Sequence, residues 1–273
     1  GESNAVAFAN SVLGARTIQY PDLLDVCAAI TGRVPAVGLH LNENRAGEIL
    51  LKLIDIPEDL QTDDSFAPVL GHLLGTIADD RVPVVEGLTV ELAEDHLKAI
   101  CAGGASSGAV HLFHIVGQTP EALTLAEAFQ GHEPTEVHDI NLRDLRRIRS
   151  ELDSSQGKSL DMVVLGSPHF SFAEFRKLAP MLEGQQCHTG VDFLVTSSRA
   201  MVKLAREAGM LDTLEAFGGK VTVDTCILTT PMLFPETRHL MTNSAKYAYY
   251  SPGLLDAEVA FGSMADCVRS AIS

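Results

Sequence analysis

No apolar run in this chain reaches the roughly 18 to 20 residues that a membrane-spanning helix requires, and no basic segment leading into an apolar one opens it. Neither a bilayer span nor a secretory leader is therefore expected within its 273 residues. Positive charge is scarce: 20 Lys and Arg stand against 36 Asp and Glu, a formal net charge of −16. Nucleic acids and anionic membranes are bound through clustered cations that release counterions, so neither is an expected partner, and an anionic substrate would need a local basic pocket. The densest basic group, Arg143, Arg146, Arg147 and Arg149, is interleaved with Asp139, Asp144, Glu151 and Asp153 and reads as a solvated helix face laced with ion pairs. Disulfide and zinc patterns are missing too. The five cysteines, Cys27, Cys101, Cys187, Cys226 and Cys267, are odd in number and widely spaced, with no CxxC pair. That usage suits a reducing cytoplasm and leaves any metal cluster to be assembled from distant loops. A starting methionine is also lacking, and an upstream portion is expected to have been cleaved off or to be missing from this sequence.

What is present is a chain with 46% hydrophobic residues, enough for a large core in more than one lobe. The first 60 residues alternate short apolar helices with Gly14, Gly32, Pro35, Gly38 and Pro57 as punctuation. A helix is expected over 92–102, ending at the small-residue run GGASSG. Strands are expected at 82–85, 109–116, 161–165, 192–196 and 221–228. Helices separate them, one opening at TPEALTLAEAF with Thr119 as N-cap and Pro120 in the first helical position. This alternation predicts an α/β fold with mainly parallel sheets flanked by helices, and it gathers ligand groups at the strand C-terminal ends. His114, Ser167, His169, Ser197 and Cys226 all fall at or near such ends. The polar stretch SELDSSQGKS marks a boundary between an N-terminal lobe, 1–152, and a C-terminal lobe, 153–273. No internal sequence repeat is evident.

The richest segment is the opening GESNAVAFANSVLGART. Ser3 or Asn4 is placed to cap a helix whose first free N–H groups would suit an anion, and Gly14 stands where a C-cap glycine belongs. Arg16 and Thr17 follow as donors for a carboxylate or phosphate.

Continued through IQYPDLLDVCAAITGRVPAVGLH, this segment resembles the ESNAV-ANSVLGART block of the aconitase X family, dehydratases distantly related to aconitase. Later stretches resemble further family blocks in the same order: HIVGQTPEA with His114, Gly117, Thr119, Pro120 and Glu121; GSPH from Gly166 to His169; DTC from Asp224 to Cys226; TNSAK from Thr242 to Lys246; and FGS from Phe261 to Ser263. The resemblance implies an aconitase-like, multi-lobed fold and an iron-sulfur cluster with Cys226 as a ligand. Relatives resembling the mevalonate 5-phosphate dehydratases carry cysteine where this chain has Ser167. A serine oxygen is a harder and poorer cluster ligand than a thiolate, so the resemblance moves toward cis-3-hydroxy-L-proline dehydratase, with a two-iron cluster favoured over a three- or four-iron type. Cys27 is the further candidate ligand, and Cys101, Cys187 and Cys267 read as structural.

The same blocks imply a small-molecule carboxylate substrate contacted by Lys246 and Ser244, with Ser3, Asn4, Arg16 and Thr17 also binding it. His114 and His169 are candidates for acid–base or orienting work. Dehydrating a 3-hydroxy amino acid removes a proton α to the carboxylate and expels hydroxide, which asks for a base and a Lewis acid. Water loss from cis-3-hydroxy-L-proline gives an enamine that tautomerises to 1-pyrroline-2-carboxylate. By likeness to aconitase the base is a serine alkoxide, with Ser3, Ser167 and Ser244 as alternatives. The family also implies a small swivelling domain, fused or as a second subunit. Two rival readings stand: the large subunit of a mevalonate 5-phosphate dehydratase, and a non-catalytic fragment lacking its upstream segment and small domain.

Overall fold

The computed structural model describes residues 2–155, 157–230 and 237–272. The chain divides into two compact units, one formed by Gly1–Thr62 and Val69–Arg146, the other by Asp63–Pro68 and Arg147–Ser273. Every strand pairing in both is parallel, as the alternating pattern predicts. Among the described residues no helix is long and apolar enough to cross a membrane.

The first unit runs α1 (Ser3–Ser11), α2 (Leu24–Thr31), β1 (Ile49–Leu53), α3 (Glu58–Gln61), α4 (Phe66–Ala78), β2 (Pro83–Glu86), α5 (Glu94–Ser107), β3 (His114–Ile115), α6 (Leu125–Ala128), β4 (Glu136–Ile140) and the start of α7 (Leu142–Glu151), with sheet order β3-β2-β1-β4. Its central strands β1 and β2 are apolar and buried along nearly their whole length, the pattern of a parallel sheet covered on both faces. The basic group on α7 is exposed, and Arg147 pairs with Glu151 one turn on at 2.7 Å, the solvated face expected of it.

The second unit continues with β5 (Met162–Phe170), α8 (Phe172–Leu182), β6 (Asp192–Ser197), α9 (Arg199–Glu207), α10 (Met210–Phe217), β7 (Lys220–Val223), β8 (His239–Thr242), α11 (Ala245–Leu255), β9 (Glu258–Phe261) and α12 (Met264–Ile272), in sheet order β7-β6-β5-β8-β9. Val163 and Leu165 of β5 and Phe193 and Val195 of β6 pack with Phe175 and Leu178 of α8, Leu214 and Phe217 of α10 and Val268 of α12. Helix starts are written locally: Ser171 and Glu174 form a capping box for α8, and Ser198 and Ser244 accept backbone N–H groups at the starts of α9 and α11.

Several expectations are corrected. The strand expected over 109–116 shrinks to His114–Ile115 because α1 takes the backbone groups before it: Asn10 donates to the His111 carbonyl at 3.0 Å and Ser11 Oγ accepts from Phe113 N–H at 2.9 Å. Thr119 caps no helix. Its hydroxyl accepts from Ile115 N–H at 2.9 Å, and the helix starts six residues later than Thr119, with Thr124 and Glu127 as its capping box. Ser3 and Asn4 do not cap α1 but lie inside it, with Glu2 at the N-cap and no side-chain cap bond, while Gly14 makes a left-handed turn two residues past the C-cap Val12. The strand expected to 228 ends at Val223, because Asp224 adopts φ +54° and turns the chain. Strands β1, β4, β8 and β9 escaped the pattern, being only four or five residues long.

Helix α5 runs through the glycines of GGASSG rather than stopping before them. The cause is a close approach to α4: a Cβ on Gly75 would lie 2.2 Å from Ser107 Oγ and 2.6 Å from the Gly104 carbonyl oxygen. Gly75→Ala is accordingly expected to destabilise the protein by about 2 kcal/mol through overpacking, although alanine favours helix, and a urea midpoint measures it.

Candidate active site

In the second unit, parallel pairing brings the C-terminal ends of its strands to one edge, and the loops there are tied together by polar side chains. Gly166 is the pivot. It sits at φ +100°, where a Cβ would lie 2.0 Å from the Thr196 carbonyl oxygen, so only glycine lets β5 approach β6 this closely while its register shifts before Phe170. Thr196 Oγ1 donates to the Gly166 carbonyl at 2.7 Å, and Ser244 Oγ donates to the Ser167 carbonyl. His169, exposed, lies with Nε2 2.9 Å from the Thr225 carbonyl oxygen. The half-buried Cys226 contacts the fully buried Tyr247, whose hydroxyl is 3.1 Å from Thr196 Oγ1. Lys246 is half-buried in the first turn of α11. Ser167, His169, Cys226, Ser244 and Lys246, singled out in sequence, thus share one set of strand ends. Tyr247 and Thr196 were missed; Tyr247 directly follows TNSAK, but nothing in sequence pairs it with a threonine 51 residues away.

In the first unit the opening motif is clasped rather than open. Asn10 Oδ1 accepts from Thr17 N–H and Asn10 Nδ2 donates to the Thr17 carbonyl, both at 3.0 Å, so the turn carrying Arg16 and Thr17 is pinned to α1. Behind it lies Arg45, which is fully buried. Its guanidinium reaches both Glu121 oxygens, Asn10 Oδ1 at 3.1 Å, the Asn10 carbonyl at 3.2 Å and the Leu39 carbonyl at 2.9 Å. Arg16 is partly exposed, 4.0 Å from Glu121. His114 is 1% exposed; its Nε2 donates to the Arg45 carbonyl at 2.8 Å, which leaves Nδ1 as a buried acceptor with no hydrogen-bond partner among the described residues. A cavity of about 370 Å³ adjoins this network, lined by Arg45, His114, Glu121, Glu127 and Gln130. Asn10 lies within the opening block but has no role assigned by the sequence, and Arg45 lies outside every block.

Burial raises the Glu121 carboxyl, but the hydrogen bonds and charge of Arg45, helped by His114 and Arg16, outweigh it and hold the group below the usual carboxylate range. Burial lowers both His111 and His114, disfavouring their charged forms. Each shift has the same sign for stability, since the unfolded chain binds protons that the folded one does not. Stability should be full above about pH 6.5, decline as the histidines charge in the unfolded state, and steepen its fall below about pH 4.3 as Glu121 is protonated there. Urea unfolding at pH 8, 5.5 and 4 checks this, with H114Q expected to flatten the upper step.

The thiols sort by environment. Burial pushes Cys101 and Cys267 well up, and burial followed by the charge of Asp192 raises Cys187, whose Sγ donates to the Val191 carbonyl at 3.3 Å. These three stay protonated, as structural cysteines do. Cys226 is half-buried, and Cys27, expected near the site on an amphipathic helix, is exposed on α2, a helix with no buried residue. Among the described residues no three His, Cys, Asp or Glu side chains converge to hold a metal. Each unit thus offers one accessible thiol as a candidate ligand, Cys226 in the second and Cys27 in the first.

Three family descriptions cover the chain in succession: the aconitase X first domain matches residues 1–43, the second domain 47–150 and the third domain 160–273. The chain belongs to the aconitase X family. It is 45% identical to a cis-3-hydroxy-L-proline dehydratase of Pseudomonas aeruginosa over 99% of its length, and 44% identical, over 99%, to one of Hypocrea jecorina. A phosphomevalonate dehydratase large subunit from Methanothermobacter thermautotrophicus is 35% identical over 98% of the chain and 64% of that protein. The chain spans about half the length of the two hydroxyproline dehydratases, 47% and 46%. The crystal structure of Thermococcus kodakaraensis aconitase X in its holo-form superposes with a TM-score of 0.86 at 29% identity, covering 99% of this chain and 67% of that one. Its likeness extends the aconitase X assignment from sequence to the parallel-sheet fold.

Proposed function

We propose that this aconitase X chain is part of an iron-sulfur-dependent hydro-lyase that converts cis-3-hydroxy-L-proline to 1-pyrroline-2-carboxylate. The observation that carries the reading is the gap between 45% identity to the hydroxyproline dehydratase and 35% to the phosphomevalonate enzyme, and Ser167 supports it independently. The share of the relatives left unmatched supports a further domain or subunit in the working enzyme. Five unpaired thiols support a reducing, cytoplasmic setting.

In this reading Cys226 is a ligand to the iron, the two-iron type being favoured, and Cys27 is the further candidate ligand. When bound, the cluster supplies a Lewis acid for the departing hydroxyl. The protein's own part is proton transfer and orientation. Lys246 supplies positive charge for the substrate carboxylate at the strand ends, and Arg16 with Thr17 offers a second set of donors on the pinned turn. The serine hydroxyls of Ser244 and Ser167 stand at those ends. Ser244 Oγ accepts Tyr247 N–H at the start of α11, where free N–H groups stabilise negative charge, so of the three candidate serines it is the one whose surroundings best suit the alkoxide base that takes the proton from the substrate α carbon. His169 orients the loop through Thr225, and His114, held neutral, offers Nδ1 as an acceptor. Ser3 and Asn4 lie in the first turn of α1 as binding groups.

Anaerobic assays of the purified protein on cis-3-hydroxy-L-proline and on 5-phosphomevalonate test the reading. Turnover of the hydroxyproline alone is expected, and turnover of the phosphate compound alone would overturn it.

A further inference from the structure

The register of β5 against β6 breaks between Leu165 and Phe170, so over the GSPH block the ladder of backbone hydrogen bonds is interrupted and side chains take its place. Thr196 Oγ1 donates to the Gly166 carbonyl at 2.7 Å, Ser197 Oγ to the Phe170 carbonyl at 2.6 Å, and Ser244 Oγ to the Ser167 carbonyl. The hydroxyl of Tyr247, which the mechanism above leaves unused, closes these contacts into a ring. Thr196 has a single proton and a carbonyl can only accept, so the bond to Gly166 consumes that proton. At 3.1 Å the Tyr247 hydroxyl is then the donor and Thr196 Oγ1 the acceptor. The same tyrosine donates its backbone N–H to Ser244 Oγ at 3.2 Å. The path therefore runs from Tyr247 O–H through Thr196 Oγ1 to the Gly166 carbonyl, along the chain to the Ser167 carbonyl, across to Ser244 Oγ and back to Tyr247 N–H. Thr196 and Tyr247 are fully buried and Ser244 is 5% exposed, so water does not replace a bond that is lost. A further contact holds Ser244, whose N–H donates to the buried Thr242 Oγ1 at 3.1 Å.

We propose that Thr196 is a positioning residue for Ser244: by fixing the Gly166 carbonyl at the glycine pivot, and being fixed in turn by Tyr247, it sets where the Ser244 hydroxyl stands at the strand ends. Its part in turnover rests on the reading of Ser244 as the base; the ring itself does not. A base must stand within hydrogen-bond reach of the proton it takes, and misplacement by about 1 Å can cost about a hundredfold in rate. Thr196, being fully buried, acts on the substrate only through the backbone and hydroxyls between it and Ser244.

Thr196→Val keeps the size of the side chain and deletes the hydroxyl. On the substrate that the wild type turns over, kcat is expected to fall about 30-fold with KM changed less than about twofold, and Thr196→Ser to restore kcat to within about threefold. Amide hydrogen exchange in peptides covering 163–170 and 242–250 is expected to be about tenfold faster in Thr196→Val, with exchange in α10 unchanged. A double variant separates positioning from packing. Thr196→Val leaves the Tyr247 hydroxyl without this acceptor and Tyr247→Phe removes that hydroxyl, so the combination is expected to unfold at higher urea than Thr196→Val alone while kcat stays as low. Unchanged kcat in Thr196→Val, wild-type exchange in both of its peptides, or a kcat that returns with the urea midpoint in the double variant would each overturn the proposal. Should Thr196→Val fail to fold, Tyr247→Phe opens the ring at its outer link, and unchanged kcat or unchanged exchange in that variant would overturn it. Ser244→Ala separates the two failures: undiminished turnover in it sinks the base assignment, and turnover of neither substrate by the wild type sinks the proposed function. In both cases exchange alone decides the ring, faster exchange upholding it and unchanged exchange overturning it.

Discussion

Arg45→Met is expected to destabilise the protein by about 4 kcal/mol, within the range for breaking a buried charge pair. The guanidinium is fully buried and every one of its five N–H donors has an acceptor: the two Glu121 oxygens, Asn10 Oδ1, and the carbonyls of Asn10 and Leu39. Methionine fills the space but leaves a carboxylate and two carbonyls unpaired, and each neutral orphan costs about 1 to 3 kcal/mol. Glu121 is 27% exposed, so water recovers part of its charge and keeps the total from rising further. Arg45→Lys should fall between the two proteins, because an ammonium brings charge but not the planar fork. In a two-state unfolding of a unit this size, about 4 kcal/mol corresponds to roughly 10 °C in the transition temperature, read by calorimetry. A loss below about 1 kcal/mol would show that the network is not held by its buried charge.

Cys226→Ser is expected to strip the protein of iron and reduce turnover by at least about a thousandfold, whereas Cys101→Ala and Cys267→Ala should keep wild-type iron content and lose only stability. The contrast follows from the sulfur environments. A ligand must be a thiolate, and Cys101 and Cys267 lie so deep that ionising them is prohibitive, while Cys226 is half-buried. Serine at 226 keeps the size but offers a poor ligand for iron. Iron and sulfide analysis after anaerobic reconstitution, with the visible spectrum, measures it. Full iron content in Cys226→Ser would remove that residue from the ligand set, and the same measurement on Cys27→Ser decides the second accessible thiol.

Much of the architecture was legible because a parallel sheet buries its central strands on both faces: DMVVLG and DFLVTSS are continuous apolar runs and read directly as β5 and β6. The edge strands β4 and β9 and the short β8 were not legible, since four or five half-polar residues carry no period that separates strand from loop. Capping shows the same limit. Ser171 and Glu174 have the chemistry of a capping box and use it, whereas Thr119, followed by proline and glutamate, has the chemistry of a cap and spends it on Ile115.

Sequence by itself nominated the residue types of the candidate site, sulfur for iron, serine hydroxyls at a helix start and a lysine for a carboxylate, because these are chemical requirements that can be read without coordinates. It also determined the α/β class, through apolar runs alternating with capped helices. Tertiary structure alone decided the state of each group. Cys226 and Cys267, alike in sequence, differ through burial: Cys226 is half-buried, whereas Cys267 is fully buried and its thiol is pushed well up. Arg45 and Glu121, 76 residues apart, become a charge pair only because β1 and β3 lie in one sheet with β2 between them. Tyr247 faces Cys226 and Thr196 for the same reason: parallel strands bring their C-terminal ends to one edge whatever their separation along the chain.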